Sequence, residues 1–208
     1  LSEAQRIIAS CQSEGVPCLP RPVSHSNDYI KPLLESGADG MIIQMVNKAE
    51  DVKNLISNFK YPPTGNRSYG VNRAQGYGFD FEDYVASWNE DSSLIIQVES
   101  IEAVENIENL LKFSEIDGVM IGPYDISGSL GVPGDLNHKK VIDASKKVID
   151  ACMKYGKSCG TQLNDPNLEN INNLFEMGYT FAVLGSDLFI LWKWAEKMNE
   201  IMRTIRKT

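Results

Sequence analysis

The sequence lacks the features that mark membrane, secreted and nucleic-acid-binding proteins. Its longest apolar runs, FAVL and LFILW, are far shorter than the roughly 20 residues a helix needs to cross a bilayer. The start has no series of basic, apolar and small residues, so we expect no signal peptide. Among 208 residues, 20 Lys and Arg stand against 28 Asp and Glu, giving a net charge of −8. Because no basic cluster interrupts this acidity, we expect neither nucleic acid nor a membrane surface as a partner.

Cysteine and histidine are scarce. The four cysteines are Cys11, Cys18, Cys152 and Cys159. Their spacings match neither a zinc-binding pattern nor a C-x-x-C redox pair, which predicts reduced, mostly buried thiols and a cytoplasmic protein. The two histidines, His25 and His138, are not spaced as a pair of metal ligands. No G-x-S-x-G string is present, so a serine nucleophile has no support.

Strand-like and helix-like segments alternate along the whole chain. The predicted strands cover residues 16–22, 39–46, 93–99, 116–123, 157–163 and 179–185. They are near-continuous apolar runs, which is typical of parallel strands buried on both faces within βα units. Two architectures fit this pattern, an open doubly wound sheet and a closed (β/α)8 barrel. No glycine-rich dinucleotide fingerprint follows a strand. A barrel needs two more strands, which could precede Leu1 because the chain opens on a helix without Met.

Polar side chains gather at the carboxyl ends of the predicted strands, where parallel α/β folds bind their ligands. Glu99 and Asp125 end consecutive strands, which are usually neighbours about 4.8 Å apart. Two such carboxylates can share one hard cation such as Mg²⁺. Arg21 and Gln97 lie at the same ends, and His25 follows on the same face.

Each of these side chains also has a purely structural interpretation. Asp125 could cap a helical turn, and Glu99 could be a solvated strand end paired with a lysine. Arg21 could be a surface charge between two prolines, and Gln97 could hydrogen-bond backbone. The clustering of four polar groups at one set of strand ends favours a site. The turn at Gly122-Pro123 would also present the amides of Tyr124 and Asp125 to a ligand.

Several strings together resemble the HpcH/HpaI aldolase family, which comprises class II pyruvate aldolases of the pyruvate/phosphoenolpyruvate barrel superfamily. They are YPPTGNRSYG, SLIIQVES and DGVMIGPYDISGSLG, and the likeness extends over essentially all 208 residues. The resemblance implies a single (β/α)8 TIM-barrel domain over 1–208 that lacks its first one or two βα units. It also implies a lyase that uses Mg²⁺, Mn²⁺ or Co²⁺. Such an enzyme cleaves or forms 4-hydroxy-2-oxo acids, giving pyruvate and an aldehyde through a metal-stabilised pyruvate enolate.

The resemblance assigns roles to matching residues. Glu99 and Asp125 resemble the two metal ligands. Arg21 resembles the catalytic arginine that faces the oxo group, and Gln97 a neighbour that contacts the same substrate. The amides of Tyr124 and Asp125 resemble those that hold the pyruvate carboxylate.

Some positions depart from the family pattern. The histidine base, in a D-x-E-H string, is absent from the chain; we expect it upstream of Leu1, with His25 as the alternative. Gln44 stands where proline is usual, Trp88 where alanine is usual, and Tyr124 where a small residue is commoner. We expect these three to alter the aldehyde pocket.

Other functions of the superfamily stay open, namely an acyl-CoA lyase, a 2-oxo-acid decarboxylase, or a non-catalytic oxo-acid-binding subunit that lacks the base. The last helix carries Trp192, Trp194 and Met198, too many apolar residues for one core face, which predicts a homo-oligomer. The methionines expected in the core are Met41, Met45 and Met120.

Overall fold

A computed structural model describes residues 1–205, in which helices alternate with short parallel strands. The chain divides into two compact units, one from Leu1 to Cys159 and one that begins at Gly160. The helices and strands are α1 (Ser2–Ser13), α2 (Asn27–Glu35), β1 (Gly40–Ile43), α3 (Ala49–Phe59), a 3-10 helix (Arg73–Gly78), α4 (Phe81–Asp91), β2 (Ser93–Val98), α5 (Ile101–Leu111), β3 (Gly118–Ile121), α6 (Pro123–Ser129), α7 (Lys139–Tyr155), β4 (Ser158–Leu163), α8 (Leu168–Glu176), β5 (Phe181–Leu184) and α9 (Asp187–Ile205). Within residues 1–205, no helix combines the length and the apolar character of a membrane span.

The strands of the first unit form a parallel sheet in a regular register. β1 pairs with β2 from Gly40 opposite Ser93 onward, and β2 pairs with β3 so that Val98 lies opposite Ile121. All four residues of β3 are buried, as expected for a parallel strand covered on both faces. In the second unit, β4 and β5 are also parallel, with Gly160 opposite Phe181. The α/β class predicted from the sequence is therefore confirmed.

Five of the six predicted strands are present, but the prediction of a strand over residues 16–22 is wrong. Pro17, Pro20 and Pro22 lack the N–H group that a strand must donate to its neighbour. The segment nevertheless lies beside β1 and accepts hydrogen bonds from it and from the residue that precedes it. The amide of Asp39 donates to the Cys18 carbonyl at 3.0 Å, and that of Ile42 donates to the Pro20 carbonyl at 3.2 Å. This pairing brings Arg21 close to the end of β1.

Helices cover the sheet with apolar faces. α5 buries Ala103, Val104, Ile107, Leu110 and Leu111, a spacing of three and four residues that places them on one side of the helix. The side chain of Ser100 caps this helix by accepting a hydrogen bond from the Ala103 amide at 3.1 Å. The helix therefore begins two residues after Glu99, and its position is fixed at that end.

A buried arginine lies among three aromatic rings in the first unit. The guanidinium carbon of Arg67 is 4.5 Å from the Trp88 ring centroid, 4.6 Å from Tyr61 and 5.4 Å from Tyr84. Its Nη1 donates to the Tyr84 hydroxyl at 3.1 Å, and burial raises the pKa of Tyr84 to about 12. The Trp88 indole N–H donates to the Phe59 carbonyl at 2.8 Å. Trp88, which we expected to alter the aldehyde pocket, thus lies in a buried aromatic cluster.

We expect Arg67→Ala to lower the free energy of unfolding by about 3 kcal/mol, because it removes desolvated cation–π contacts and the packing of a long side chain. Urea denaturation followed by tryptophan fluorescence measures this change. The matched control is Arg6→Ala, since Arg6 is exposed and pairs with the exposed Glu3. Equal midpoints for the two variants would show that the aromatic cluster does not depend on Arg67.

Candidate active site

The carboxyl ends of the first three strands lie side by side and deliver the candidate residues to one place. Gln44 directly follows β1, Glu99 follows β2, and Gly122 follows β3. Backbone hydrogen bonds continue past the strands, since the Val46 amide donates to the Gln97 carbonyl at 3.3 Å. The Gly122 amide likewise donates to Val98 at 2.9 Å. The register thus places Glu99 beside Gly122.

Glu99 is buried and held by two hydrogen bonds. The Met45 amide donates to its Oε2 at 2.9 Å, and the Gln97 side-chain amide donates to its Oε1 at 3.0 Å. Met45 has a positive φ of 52°, a left-handed conformation that aims its amide at this carboxylate. Its side chain is exposed, so the prediction that Met45 belongs to the core is wrong, whereas Met41 and Met120 are buried as expected.

The Asp125 and Glu99 carboxylates both lie close to Gly122. A Cβ atom on residue 122 would be 3.3 Å from Glu99 Oε1 and 3.5 Å from Asp125 Oδ2. Both carboxyl oxygens therefore lie close to the same point, one from the residue after β2 and the other from the first turn of α6. That Cβ would also be 2.8 Å from Glu99 Cγ, so only glycine fits at this position without moving Glu99. The helical turn we considered for Asp125 is α6, and Asp125 lies in its first turn.

The surroundings of Glu99 shift its pKa in opposite directions. Burial raises the pKa of Glu99, the hydrogen bond from the Met45 amide lowers it, Asp125 raises it and Arg21 lowers it. The net direction is upward, so the present surroundings compensate the negative charge only in part. Arg21 and Asp125 are thus both close enough to influence this carboxylate.

Arg21 is held by Gln44. Its Nη1 donates to the Gln44 side-chain oxygen at 2.9 Å, and the Gln44 side-chain nitrogen donates to the Val23 carbonyl at 2.9 Å. Nε2 of His25 is 2.5 Å from the Gln44 carbonyl oxygen. Because a carbonyl only accepts, His25 Nε2 is the donor in this contact. His138 is elsewhere, at the N-cap of α7.

The first turn of α6 contributes amides to the same edge. Tyr124 and Asp125 are the second and third residues of this helix, so their N–H groups have no acceptor within it. The Tyr124 side chain is exposed, and its hydroxyl oxygen is 3.4 Å from the point where a Cβ on Gly134 would lie. The aromatic ring therefore lies beside the loop that contains Gly134.

The oxygen atoms of these residues are suitable ligands for a divalent cation. Carboxylate and amide oxygens are the ligands that Mg²⁺ and Mn²⁺ prefer, and Mg²⁺ typically takes only one or two carboxylates. Glu99 and Asp125 supply two, and the Oε1 atom of the buried Gln97 has no hydrogen-bond partner. Within residues 1–205 there is no group of three or more His, Cys, Asp and Glu side chains suited to a metal. The remaining ligands would be oxygen atoms of substrate and water.

Comparisons with known proteins support a relationship along most of the chain. The model of the HpcH/HpaI aldolase/citrate lyase family matches residues 3–193. The chain is 36% identical over 176 residues to a 2-keto-3-deoxy-L-rhamnonate aldolase of Salmonella dublin, and 37% identical over 172 residues to one of Klebsiella pneumoniae. Each match covers 82% of this chain, which spans 63% of the length of each relative.

Solved structures agree with this relationship. The HpcH/HpaI aldolase of Desulfitobacterium hafniense superposes with a TM-score of 0.87 at 25% sequence identity. The superposition covers 97% of this chain and 78% of that structure. The chain belongs to the HpcH/HpaI aldolase/citrate lyase family.

Proposed function

We propose that this chain acts as a class II aldolase that cleaves or forms 4-hydroxy-2-oxo acids, with pyruvate and an aldehyde as the other reaction partners. The observation that carries the proposal is the convergence of Glu99 Oε1 and Asp125 Oδ2 on one point, with Arg21 acting on the same carboxylate. The names of the Salmonella dublin and Klebsiella pneumoniae relatives denote aldolases of a 2-oxo acid, which supports this substrate class.

Glu99 and Asp125 would hold Mg²⁺, Mn²⁺ or Co²⁺. When bound, such a cation supplies Lewis-acid stabilisation of negative charge on the substrate's oxo oxygen. Gln97 and the Met45 amide fix the orientation of Glu99 through their hydrogen bonds, so the carboxylate is already in place before a ligand arrives. Gln97 Oε1, buried and without a hydrogen-bond partner, is available for a ligand.

Arg21 would provide a fixed positive charge at the oxo oxygen. A guanidinium has five N–H donors, and the bond to Gln44 uses an N–H of one of its nitrogens, which leaves others for substrate. The amides of Tyr124 and Asp125 would donate to the substrate carboxylate from the first turn of α6. Each group would act where negative charge is present or develops, and such preorganised stabilisation is usually the largest single contribution to catalysis.

The proton acceptor remains the prediction made from the sequence, a histidine before Leu1 or, alternatively, His25. The hydrogen bond from His25 Nε2 to the Gln44 carbonyl leaves Nδ1 as the nitrogen that can accept a proton. Glu99 and Asp125 are not assigned this role, because a carboxylate that binds a metal is a poor proton acceptor.

The complete barrel, the oligomeric state and the cellular location are also proposed. We propose that the parallel strands belong to a single (β/α)8 TIM-barrel domain, which the superposition on the Desulfitobacterium hafniense aldolase supports. We propose a homo-oligomer because Trp192 and Trp194 on α9 are exposed. A cytoplasmic location stays a prediction from the cysteines, which form no disulfide within residues 1–205.

Pyruvate release in the presence of Mn²⁺ tests the proposed function. We expect the purified protein to release pyruvate from a 4-hydroxy-2-oxo acid, and we expect EDTA to abolish this activity until Mn²⁺ or Mg²⁺ is restored. Lactate dehydrogenase and NADH report the pyruvate. Release that is insensitive to EDTA would contradict the role of Glu99 and Asp125. Turnover of a CoA thioester or release of CO₂ instead would identify the lyase or decarboxylase alternative.

A further inference from the structure

Gln44 makes contacts through three different groups at the end of β1. Its side-chain oxygen accepts from Arg21 at 2.9 Å, its side-chain nitrogen donates to the Val23 carbonyl at 2.9 Å, and its main-chain carbonyl accepts from His25. The side chain thus bridges the end of the sheet and the proline-rich segment that carries Arg21.

That segment provides little support of its own for Arg21. Residues 16–22 do not form a strand, and the Arg21 side chain is exposed. Among the ion pairs described within residues 1–205, none includes this guanidinium. A long side chain in such a position has many rotamers, and ordering it costs conformational entropy. The hydrogen bond to Gln44 therefore restrains it where little else does.

We propose that Gln44 is a positioning residue that holds the Arg21 guanidinium toward the Glu99 carboxylate and thus toward the oxo group of the substrate. The inference rests on the proposed function and deepens it. Gln44 touches neither carboxylate in the described contacts, so it acts through Arg21. A catalytic group must be held to within about 0.5 Å of its productive position, and such a restraint supplies that precision.

A glutamine side chain suits this role chemically. The side-chain oxygen must accept a hydrogen bond from Arg21, and the side-chain nitrogen must donate one to the Val23 carbonyl. A primary amide does both. A carboxylate could accept from Arg21 but could not donate to Val23. A carboxylate at residue 44 would also neutralise the positive charge of Arg21, which attracts the anionic substrate. The neutral amide orients Arg21 without reducing its charge.

Pyruvate affinity in saturating Mn²⁺, measured by isothermal titration calorimetry, tests this inference without relying on turnover. Gln44→Met keeps the length of the side chain but removes both hydrogen bonds. We expect the pyruvate dissociation constant to rise about 10-fold to 100-fold, the range for loss of a hydrogen bond to a charged group. The affinity for Mn²⁺ should not change. The matched control is Gln5→Met on α1, which should bind pyruvate as the wild type does.

A double-mutant cycle separates positioning from a general structural role. If Gln44 acts through Arg21, Gln44→Met should have no further effect on pyruvate affinity in the Arg21→Ala background. An equal loss in both backgrounds would overturn the inference. Gln44→Glu provides a second variant that keeps the contact to Arg21 but adds negative charge. We expect it also to weaken pyruvate binding, and affinity equal to the wild type would overturn the inference.

The same experiments distinguish failure of the inference from failure of the proposed function. If Arg21→Ala binds pyruvate as tightly as the wild type, the assignment of Arg21 is wrong and the proposed function loses a principal support. If Arg21→Ala weakens binding but Gln44→Met behaves like Gln5→Met, the proposed function stands and Gln44 has no positioning role.

Discussion

Replacing Glu99 with glutamine is expected to weaken Mn²⁺ binding by more than about 100-fold, because groups that merely orient a metal ligand already contribute about 10–100-fold. Glu99 has a carboxyl oxygen close to Gly122, as Asp125 does, and is fixed by the Met45 amide and the Gln97 side chain. Glutamine keeps the shape of the side chain but removes its charge. Pyruvate release at micromolar Mn²⁺ should therefore fall to background. Mn²⁺ titration followed by electron paramagnetic resonance measures the loss of affinity.

Glu102→Gln is the matched control for this variant. Glu102 lies in the first turn of α5 and pairs with Lys48 at the surface, where both side chains are half exposed or more. An exposed pair of this kind contributes little to stability, so the substitution should leave both metal affinity and turnover unchanged. Equal Mn²⁺ affinities for Glu99→Gln and Glu102→Gln would remove Glu99 from the metal site.

Arg21→Ala is expected to leave Mn²⁺ binding nearly unchanged while kcat falls by about 10²–10³-fold, as is typical when one donor to a developing oxyanion is removed. Arg21 lowers the pKa of Glu99, which places its charge near the carboxylate, but it has no ligand atom for a cation. A fall in kcat without a change in Mn²⁺ affinity would thus distinguish a catalytic role of Arg21 from a role in metal binding. Steady-state kinetics with a 4-hydroxy-2-oxo acid and a parallel Mn²⁺ titration measure both quantities.

Arg6→Ala controls for the loss of one positive charge, because Arg6 is exposed on α1 and pairs with Glu3. Its kinetics should match those of the wild type. Unchanged pyruvate release by Arg21→Ala would refute a catalytic role for Arg21. A large fall in Mn²⁺ affinity would instead show that Arg21 mainly stabilises the metal site.

Chain order and strand patterning were sufficient to predict where the candidate carboxylates lie. Consecutive parallel strands are usually neighbours, so the ends of β2 and β3 had to bring Glu99 and the turn before Asp125 to one edge. The prediction required only apolar runs and the residues that follow them. It did not require knowledge of any side-chain contact.

The features that escaped prediction depend on contacts between distant residues. The strand predicted over residues 16–22 does not form because its three prolines cannot donate hydrogen bonds in a ladder, whatever its apolar pattern. Met45 looked like a core residue, yet its positive φ turns the side chain outward and its amide toward Glu99. Gln44 was expected only to shape an aldehyde pocket, because no local pattern links it to Arg21.

The burial of Arg67 in the core likewise could not be predicted from local sequence. Its place in the YPPTGNRSYG string gave no sign that it would be buried among three rings, one from Tyr61 in the same string and two from α4. Composition and periodicity treat arginine as a surface residue, whereas the short distances from the guanidinium to the Tyr61 and Trp88 rings make its burial tolerable.

The stoichiometry of Mn²⁺ binding, measured by electron paramagnetic resonance with and without pyruvate, tests the shared cation site most directly. The wild-type protein should bind one Mn²⁺ per chain, more tightly when pyruvate is present. Glu99→Gln and Asp125→Asn should each lose this binding, and the double variant should be no worse than either alone. Wild-type stoichiometry and affinity in the double variant would show that Glu99 and Asp125 do not hold the ion.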